Sequence, residues 1–137
     1  MASSARIQID GWEPLPRAST DYRSVILSQE LVEGEGAGSR LIIQEGIPSS
    51  LSAAEHRENL IVDLQTQAVA VTELDDREIS GGPASGTSYT NKDGRIIQTW
   101  YVVKDQLRYT INLESDEGAD AVSGNAELVL DNIVLGN

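Results

Sequence analysis

Residues 91–113, with the sequence NKDGRIIQTWYVVKDQLRYTINL, constrain the fold more than any other part of the chain. Two β-rich runs alternate in this stretch with two turn signals. The first turn, residues 91–94 (NKDG), predicts a type I turn followed by a glycine bulge, because glycine tolerates the positive φ that the bulge requires. Asp105 and Gln106 close the second turn. Together with the preceding run, which ends at Tyr89, the stretch predicts a three-stranded antiparallel meander.

The two turns determine which residues lie opposite each other in the meander. Gly86 is predicted opposite Trp100, so that the indole ring covers bare backbone. The other predicted pairs are Tyr89 with Ile97, Trp100 with Ile111, Val102 with Tyr109, and Lys104 with Leu107. Successive side chains of a strand point to opposite faces of the sheet. One face therefore carries the residues that we predict as core: Trp100, Val102, Tyr109, Ile111 and Leu113.

The opposite face of the meander has a mixed composition. It carries Tyr89, Ile97, Thr99, Tyr101 and Val103 beside Arg108, Thr110 and Asn112. This face is too apolar for a freely solvated sheet surface and too polar for a second dry core. Two interpretations remain open: a helix layer covers the face, for which a C-terminal helix is available, or the face binds a partner. We favour the helix layer.

A helix is predicted over residues 52–66. Ser52 and Glu55 have the spacing of a capping box, in which each side chain satisfies a free backbone N–H of the first turn. On a helical wheel one side carries Ala53, Arg57, Leu60, Ile61 and Leu64, with the aliphatic stem of the arginine packed along the stripe. His56 falls on the flank of this stripe, where we expect a polar edge position.

Most of the remaining chain is predicted as strands. The opening ARIQID alternates in polarity and predicts a first strand. Residues 25–27 and 41–43 are apolar runs on either side of a glycine-rich acidic turn at 33–38, which predicts a hairpin. The alternating run AVAVTEL, residues 68–74, predicts a further strand.

The last run, AELVLDNIVLGN, fits two structures. We favour a helix, because Ala126, Val129, Leu130, Ile133 and Val134 have helical spacing. A final strand is the alternative. The order of strands, helix, strands, helix predicts an α+β fold with an antiparallel sheet, in a single domain that spans residues 1–137.

Composition argues against several kinds of chemistry. The chain has no cysteine, which excludes disulfides, thiolate catalysis and cysteine-based zinc sites. It has a single histidine, which argues against a transition-metal site. The glycine-rich segment SGGPASG lacks the Lys-Ser/Thr ending of a phosphate-binding loop. We therefore predict no cofactor and no metal.

The charge balance bears on partners and location. A formal net charge of −12 argues against nucleic acid, which requires a basic patch, and against anionic membrane surfaces. No apolar run approaches the length of a membrane span, and the opening MASSARIQIDGWEP lacks the apolar run of a signal peptide. These features predict a cytoplasmic protein, with an exported protein whose signal peptide has been removed as the alternative.

The order of segments resembles the PsbP-like fold family. The matching features are the turn and strand GGPASGTSYT, the glutamine-aromatic strand IIQTWYVV and the next strand with a central Tyr109. The family includes PsbP proteins of photosystem II, Ran-binding Mog proteins, bacterial DcrB- and LpqN-type proteins, and the small Eag chaperones of type VI effectors. The resemblance implies an α/β/α sandwich with helices packed on both faces of the sheet, and a non-enzymatic binding or chaperone role.

This resemblance directs the binding interpretation to the mixed face. Another protein is the expected partner, with Tyr89, Ile97, Tyr101 and Val103 as contacts. Eag-type chaperones cradle apolar effector segments on a sheet face, which implies a link to bacterial secretion. The alternative is a small-ligand-binding protein or a weak hydrolase that uses His56 with nearby carboxylates. A homodimer joined through an edge strand or the mixed face is compatible with the first function.

Overall fold

The fold is that of a computed structural model, which describes residues 4–15 and 24–136. The strands are β1 (Ala5–Ile7), β2 (Trp12–Pro14), β3 (Val25–Leu31), β4 (Arg40–Pro48), β5 (Thr72–Glu73), β6 (Arg77–Ile79), β7 (Gly82–Thr90), β8 (Ile96–Lys104), β9 (Leu107–Glu114) and β10 (Ile133–Leu135). The helices are α1 (Ala53–Thr66) and α2 (Gly124–Glu127), and α2 continues into a 3₁₀ turn at Leu128–Asp131.

An antiparallel sheet of eight strands organises the described part of the chain. Its order is β2-β3-β4-β9-β8-β7-β5, and β6 also pairs with β7. A separate two-stranded sheet joins β1 to β10. The chain is therefore α+β with an antiparallel sheet, as predicted.

The predicted register of the meander is confirmed pair by pair. Gly86 lies opposite Trp100 and Tyr89 opposite Ile97 on β7 and β8, and the three predicted pairs between β8 and β9 are all formed. In the first turn Gly94 has a φ of +80°, and its N–H donates to the carbonyl of Asn91. This is the conformation for which glycine was predicted at that position.

The hairpin and the main helix are also confirmed. β3 pairs with β4, and the register shifts between Val25 and Leu27. Helix α1 begins with the predicted capping box: the N–H of Glu55 donates to Ser52 Oγ over 3.1 Å, and the N–H of Ser52 donates to Glu55 Oε1 over 3.0 Å. The predicted boundaries of this helix differ from the observed ones by a single residue at the start.

The strand predicted over residues 68–74 is much shorter than expected. Only Thr72–Glu73 pairs with β7. The preceding residues end the helix instead, since Ala68 has a φ of +61° and the N–H of Val69 donates to the carbonyl of Leu64. The carbonyls at the end of α1 need donors, and this requirement outweighs the alternating pattern.

The helix favoured for the whole C-terminal run is wrong for its second half. Helical structure ends at Asp131, and Ile133–Leu135 forms β10, which pairs with β1. This pairing gives hydrogen-bond partners to the backbone groups of Ala5–Ile7 and of Ile133–Leu135. Its partner lies at the other end of the sequence, so no local pattern marks the change.

The core lies on the predicted face of the sheet. Trp100, Val102, Tyr109, Ile111 and Leu113 are all buried there. The C-terminal segment contributes Ala126, Val129 and Leu130 to the same cluster. We call this side of the sheet the Trp100 face.

The predicted α/β/α sandwich is confirmed only in part. The α+β fold with an antiparallel sheet is present, but the packing of helices on both faces is not shown. Among the described residues the helical component is α1, of 14 residues, and α2, of four residues. Helix α1 packs against β7 and β8, and its His56 meets Tyr101 of the mixed face. The helix on that face is therefore α1 and not the C-terminal one that the sequence suggested.

Candidate binding face beside α1

The mixed face, which we call the Tyr101 face, is built from cross-strand rows of side chains. One row runs from Ile47 on β4 through Arg108 on β9 to Val103 on β8. The next row includes Thr110 and Tyr101 on the neighbouring positions of β9 and β8. Residues directly opposite each other in adjacent strands have neighbouring side chains, so these rows form continuous surface.

Arg57 fixes α1 against the edge of this face. Its Nη1 lies 2.7 Å from Asp76 Oδ1 and 3.2 Å from the carbonyl oxygen of Leu74, and its Nη2 lies 2.7 Å from Glu73 Oε1. Ser85 Oγ of β7 donates to the same Asp76 carboxylate over 2.9 Å. The side chain of Arg57 is 10% exposed, so the ion pairs form at a largely desolvated guanidinium.

His56 lies between α1 and the sheet, not at the polar edge that the sequence suggested. It is 9% exposed, and its ring centroid is 5.6 Å from that of Tyr101. A hydrogen bond of 2.7 Å joins its Nε2 to Ser49 Oγ, which also accepts from the N–H of Leu51 over 3.1 Å. Burial lowers the pKa of His56, and the nearby positive charge of Arg108 acts in the same direction.

Tyr101 is the centre of the face. It is half-buried, and burial raises the pKa of its phenol. The Arg108 guanidinium lies 5.7 Å from the ring centroid, within the range of a cation–π contact. Tyr101 therefore has His56 on one side and a cation on another, and both contacts restrain its ring.

The four predicted contact residues fall into two groups along β8. Tyr101 and Val103 are half-buried and lie at the end of the strand near His56 and Arg108. Tyr89 on β7 lies opposite Ile97, and Ile97 precedes Tyr101 by four residues, or about 13 Å of strand at 3.3 Å per residue. Ile97 is 5% exposed, whereas Tyr89 is half-buried.

The second group lies beside a half-buried acid. Glu114 pairs with Ile97 across β9 and β8, and burial raises the pKa of its carboxyl group. Burial also raises the pKa of Tyr89, with a contribution from the negative charge of Glu114. This end of the face therefore differs from the Tyr101 end in its electrostatics.

Two apolar residues that the sequence did not single out border the Tyr101 end. Ile47 is 44% exposed and Leu51 is 36% exposed, both large values for such side chains. A cleft of about 790 Å³ lies beside them, and its lining includes Leu51, Pro48 and Val103. The sequence contains only a weak signal for these two exposed residues: an apolar residue precedes Pro48 at a strand end, and a serine-rich loop follows before α1.

The Ser49–His56 pair has part of the geometry of a nucleophile and its base. A third group that orients the imidazole is missing from the described residues, where Nδ1 of His56 has no hydrogen-bond partner. No group of three or more potential metal ligands occurs in the described parts of the chain. Among the described helices none is long and apolar enough to cross a membrane.

Comparison with known proteins identifies the fold. No protein-family model matches the chain, and no curated protein is significantly similar to it in sequence. The crystal structure of LpqN, involved in cell envelope biogenesis of Mycobacterium tuberculosis, superposes with a TM-score of 0.61 at 13% identity, over 98% of this chain and 84% of LpqN. The solution structure of the cyanobacterial PsbP of Synechocystis sp. PCC 6803 gives a TM-score of 0.54 at 14% identity, over 96% of this chain and 91% of that one. The fold is PsbP-like, as the sequence resemblance indicated.

Proposed function

We propose that this chain is a non-catalytic accessory domain that binds another protein, and that the Tyr101 end of its mixed face holds the partner. One observation carries the proposal. Pro48, Leu51 and Val103 are the apolar lining of an open cleft, Ile47 directly precedes Pro48, and both Ile47 and Leu51 keep more than a third of their surface exposed. Clustered exposed apolar surface on a folded domain is typical of a protein–protein contact.

The groups around the cleft suit an apolar peptide segment, because they offer both apolar contact and hydrogen-bonding groups for its backbone. Tyr101 presents a half-buried aromatic ring with a hydroxyl group, and Arg108 lies beside it. Tyrosine and arginine are enriched where partners make their strongest contacts. In this proposal Tyr101 and Val103 make the central contacts, while Tyr89 and Ile97 extend the site along β8.

The PsbP-like fold supports an accessory or chaperone role without identifying the partner. LpqN is described as involved in cell envelope biogenesis, which is consistent with a role close to the envelope or to secretion. Under this proposal the partner is a protein and the site requires no cofactor. A second copy of the chain on the same face is the alternative occupant. The proposed location is the cytoplasm, with an exported protein as the alternative.

Photo-crosslinking from single positions tests this function. A photoreactive phenylalanine analogue is placed at Ile47 or Leu51, and at the control positions Val62 and Val32, which are 60% and 39% exposed outside the cleft. Irradiation of the full chain in its native host should give one protein adduct, identified by mass spectrometry, from the first two positions only. Equal labelling at all four positions, or none at Ile47 and Leu51, contradicts the proposal.

The Ser49–His56 hydrogen bond favours a weak hydrolase as the second candidate. In that case Ser49 Oγ attacks the carbonyl carbon of an ester, its proton passes to His56 Nε2, and the alcohol leaves as the acyl group bonds to Ser49. Water then releases the acid. Incubation with p-nitrophenyl acetate decides between the candidates: turnover that disappears in both Ser49→Ala and His56→Gln supports the hydrolase, and identical rates in all three proteins exclude it.

A further inference from the structure

Two neighbouring cavities on the Trp100 side of the sheet form a groove that is distinct from the cleft beside Leu51 and reaches the mixed face at Tyr89. Their volumes are about 430 Å³ and 450 Å³. Gln98 and Glu127 line both, so the cavities meet at these two residues. The groove runs between strands β5 to β8 and the C-terminal segment, and we call it the Gln98 groove.

The base of the Gln98 groove contains apolar side chains beside polar ones. Ile96, Val71 and Val122 line one cavity, and Leu74 and Trp100 line the other. Trp100 is only 4% exposed, so the groove reaches the edge of the core. The apolar part of this base can bury side chains of a bound segment.

Gln98 places a polar donor where the cavities meet. It is 7% exposed, and its Oε1 accepts a hydrogen bond of 3.0 Å from Nε1 of Trp100. That bond fixes the orientation of the amide and leaves Nε2 with no partner among the described residues. This donor keeps solvent access, and the carbonyl of a ligand lying in the groove would accept from it.

The rim of the groove is acidic. Asp75, Asp76, Glu78, Asp120 and Glu127 belong to the lining of the two cavities. Arg77 is the single basic residue in that lining, and its Nη2 is already bonded to Asp131. Only Asp76 among the five acids has a basic partner in the described structure, namely Arg57. Four of these carboxylates therefore have no basic partner among the described residues, and the one cation of the lining, Arg77, lies 5.9 Å from the centroid of the Trp100 ring.

We propose that the Gln98 groove binds an extended cationic peptide segment of a partner protein. Lysine or arginine side chains would pair with the rim carboxylates, and alternate apolar side chains would enter the base. The amide of Gln98 would donate to a backbone carbonyl of the segment. An extended conformation suits two cavities in line next to β5, which ends the sheet. The groove and the Tyr101 end of the mixed face lie on opposite sides of β8, and Tyr89 and Asp76 border both the groove and the mixed face.

Backbone and side-chain NMR tests the site directly. The probe is a short blocked peptide of alternating lysine and valine, titrated into the full chain labelled with ¹⁵N. The indole N–H signal of Trp100 and the side-chain amide signals of Gln98 should shift saturably. The indole signal of Trp12, which lies at a different cavity, provides an internal reference and should not move. The same peptide with glutamate in place of lysine should cause no shift.

Matched pairs of substitutions separate a specific site from general charge attraction. Asp120→Asn with Glu127→Gln removes two negative charges from the groove, and Asp10→Asn with Glu33→Gln removes two from the lining of the cavity beside Trp12. The first pair should raise the Kd of the lysine peptide at least several-fold more than the second. Equal effects of the two pairs, or no shift of the Trp100 and Gln98 signals, overturn the proposal. So does a shift of these signals with protein concentration alone, which would assign the groove to a second copy of the chain.

Discussion

Gly86 and Trp100 lie opposite each other across β7 and β8, and the indole ring fills the space that a side chain at position 86 would need. A Cβ atom at Gly86 would lie 2.6 Å from Cδ2 and from Cε3 of the ring. Trp100 is 4% exposed and holds Gln98 through its indole N–H, so the ring has little freedom to move away. The bare backbone of Gly86 is therefore a requirement of the core.

Gly86→Ala should destabilise the fold. The methyl group would overlap a buried ring, and overpacking of this kind costs about 1–3 kcal/mol. We expect a loss near the upper end of this range in the free energy of unfolding, measured by urea denaturation. The control is Gly124→Ala, since a Cβ there meets no atom within 4 Å and the φ is not left-handed. A Gly86→Ala protein as stable as the control would show that Trp100 can move.

Gln106→Gly should stabilise the turn between β8 and β9. Gln106 has a φ of +66° and is exposed, and the left-handed conformation costs a non-glycine residue about 1–2 kcal/mol. Part of the gain is lost to the greater freedom of glycine in the unfolded chain, so we expect a net increase of about 0.5–1 kcal/mol in the free energy of unfolding. Lys92→Gly in the first turn is the matched control. Lys92 is also exposed but has no positive φ, so this change should destabilise, and a loss of stability at Gln106→Gly would contradict the expectation.

Arg57→Met should loosen α1 from the sheet. Methionine keeps much of the aliphatic contact but loses the bonds to Glu73, Asp76 and the carbonyl of Leu74. Hydrogen bonds to charged groups contribute about 1.5–3 kcal/mol, and the carboxylates regain water, so we expect a loss of about 2 kcal/mol. The exposed Arg6 provides the control, and Arg6→Met should change the free energy of unfolding by less than about 0.5 kcal/mol. Hydrogen exchange should accelerate in α1 of the Arg57 variant, and unchanged exchange there would contradict the anchoring role.

The meander and α1 could be predicted from sequence because short-range chemistry determines them. The turn residues at 91–94 and 105–106 set the register of three strands, and the Ser52–Glu55 capping box sets the start of the helix. Each feature depends on residues close together in the chain. The Gly86–Trp100 pair followed from that register without further information.

The rest depends on contacts between distant segments. Ile133–Leu135 fits a helix or a strand locally, and its pairing with Ala5–Ile7 decides the outcome. His56 falls on the flank of a helical wheel, yet Tyr101 and the Ser49 loop enclose it. The apolar border at Ile47 and Leu51 arises where a strand end meets a helix start. Hydrophobic periodicity does not encode such junctions.

Acid should destabilise the protein through His56. Burial lowers the pKa of His56 in the folded state, whereas in the unfolded state it stays near 6.5. Below pH 6.5 the unfolded chain therefore binds a proton that the folded chain resists, and the free energy of unfolding falls as the pH decreases towards the folded pKa. Glu114, whose pKa is raised by burial, acts in the opposite direction, since its contribution to stability is lost as the pH rises.

A comparison of the wild type with His56→Gln isolates the effect of His56. Both proteins contain Glu114, so the contribution of Glu114 cancels in the difference between their unfolding free energies. This difference should shrink between pH 7.5 and 5.5, as followed by urea denaturation, and the ring signal of the single histidine should titrate below pH 6.5 in the ¹H NMR spectrum. A constant difference, together with a titration at or above pH 6.5, would contradict the burial of His56 against Tyr101.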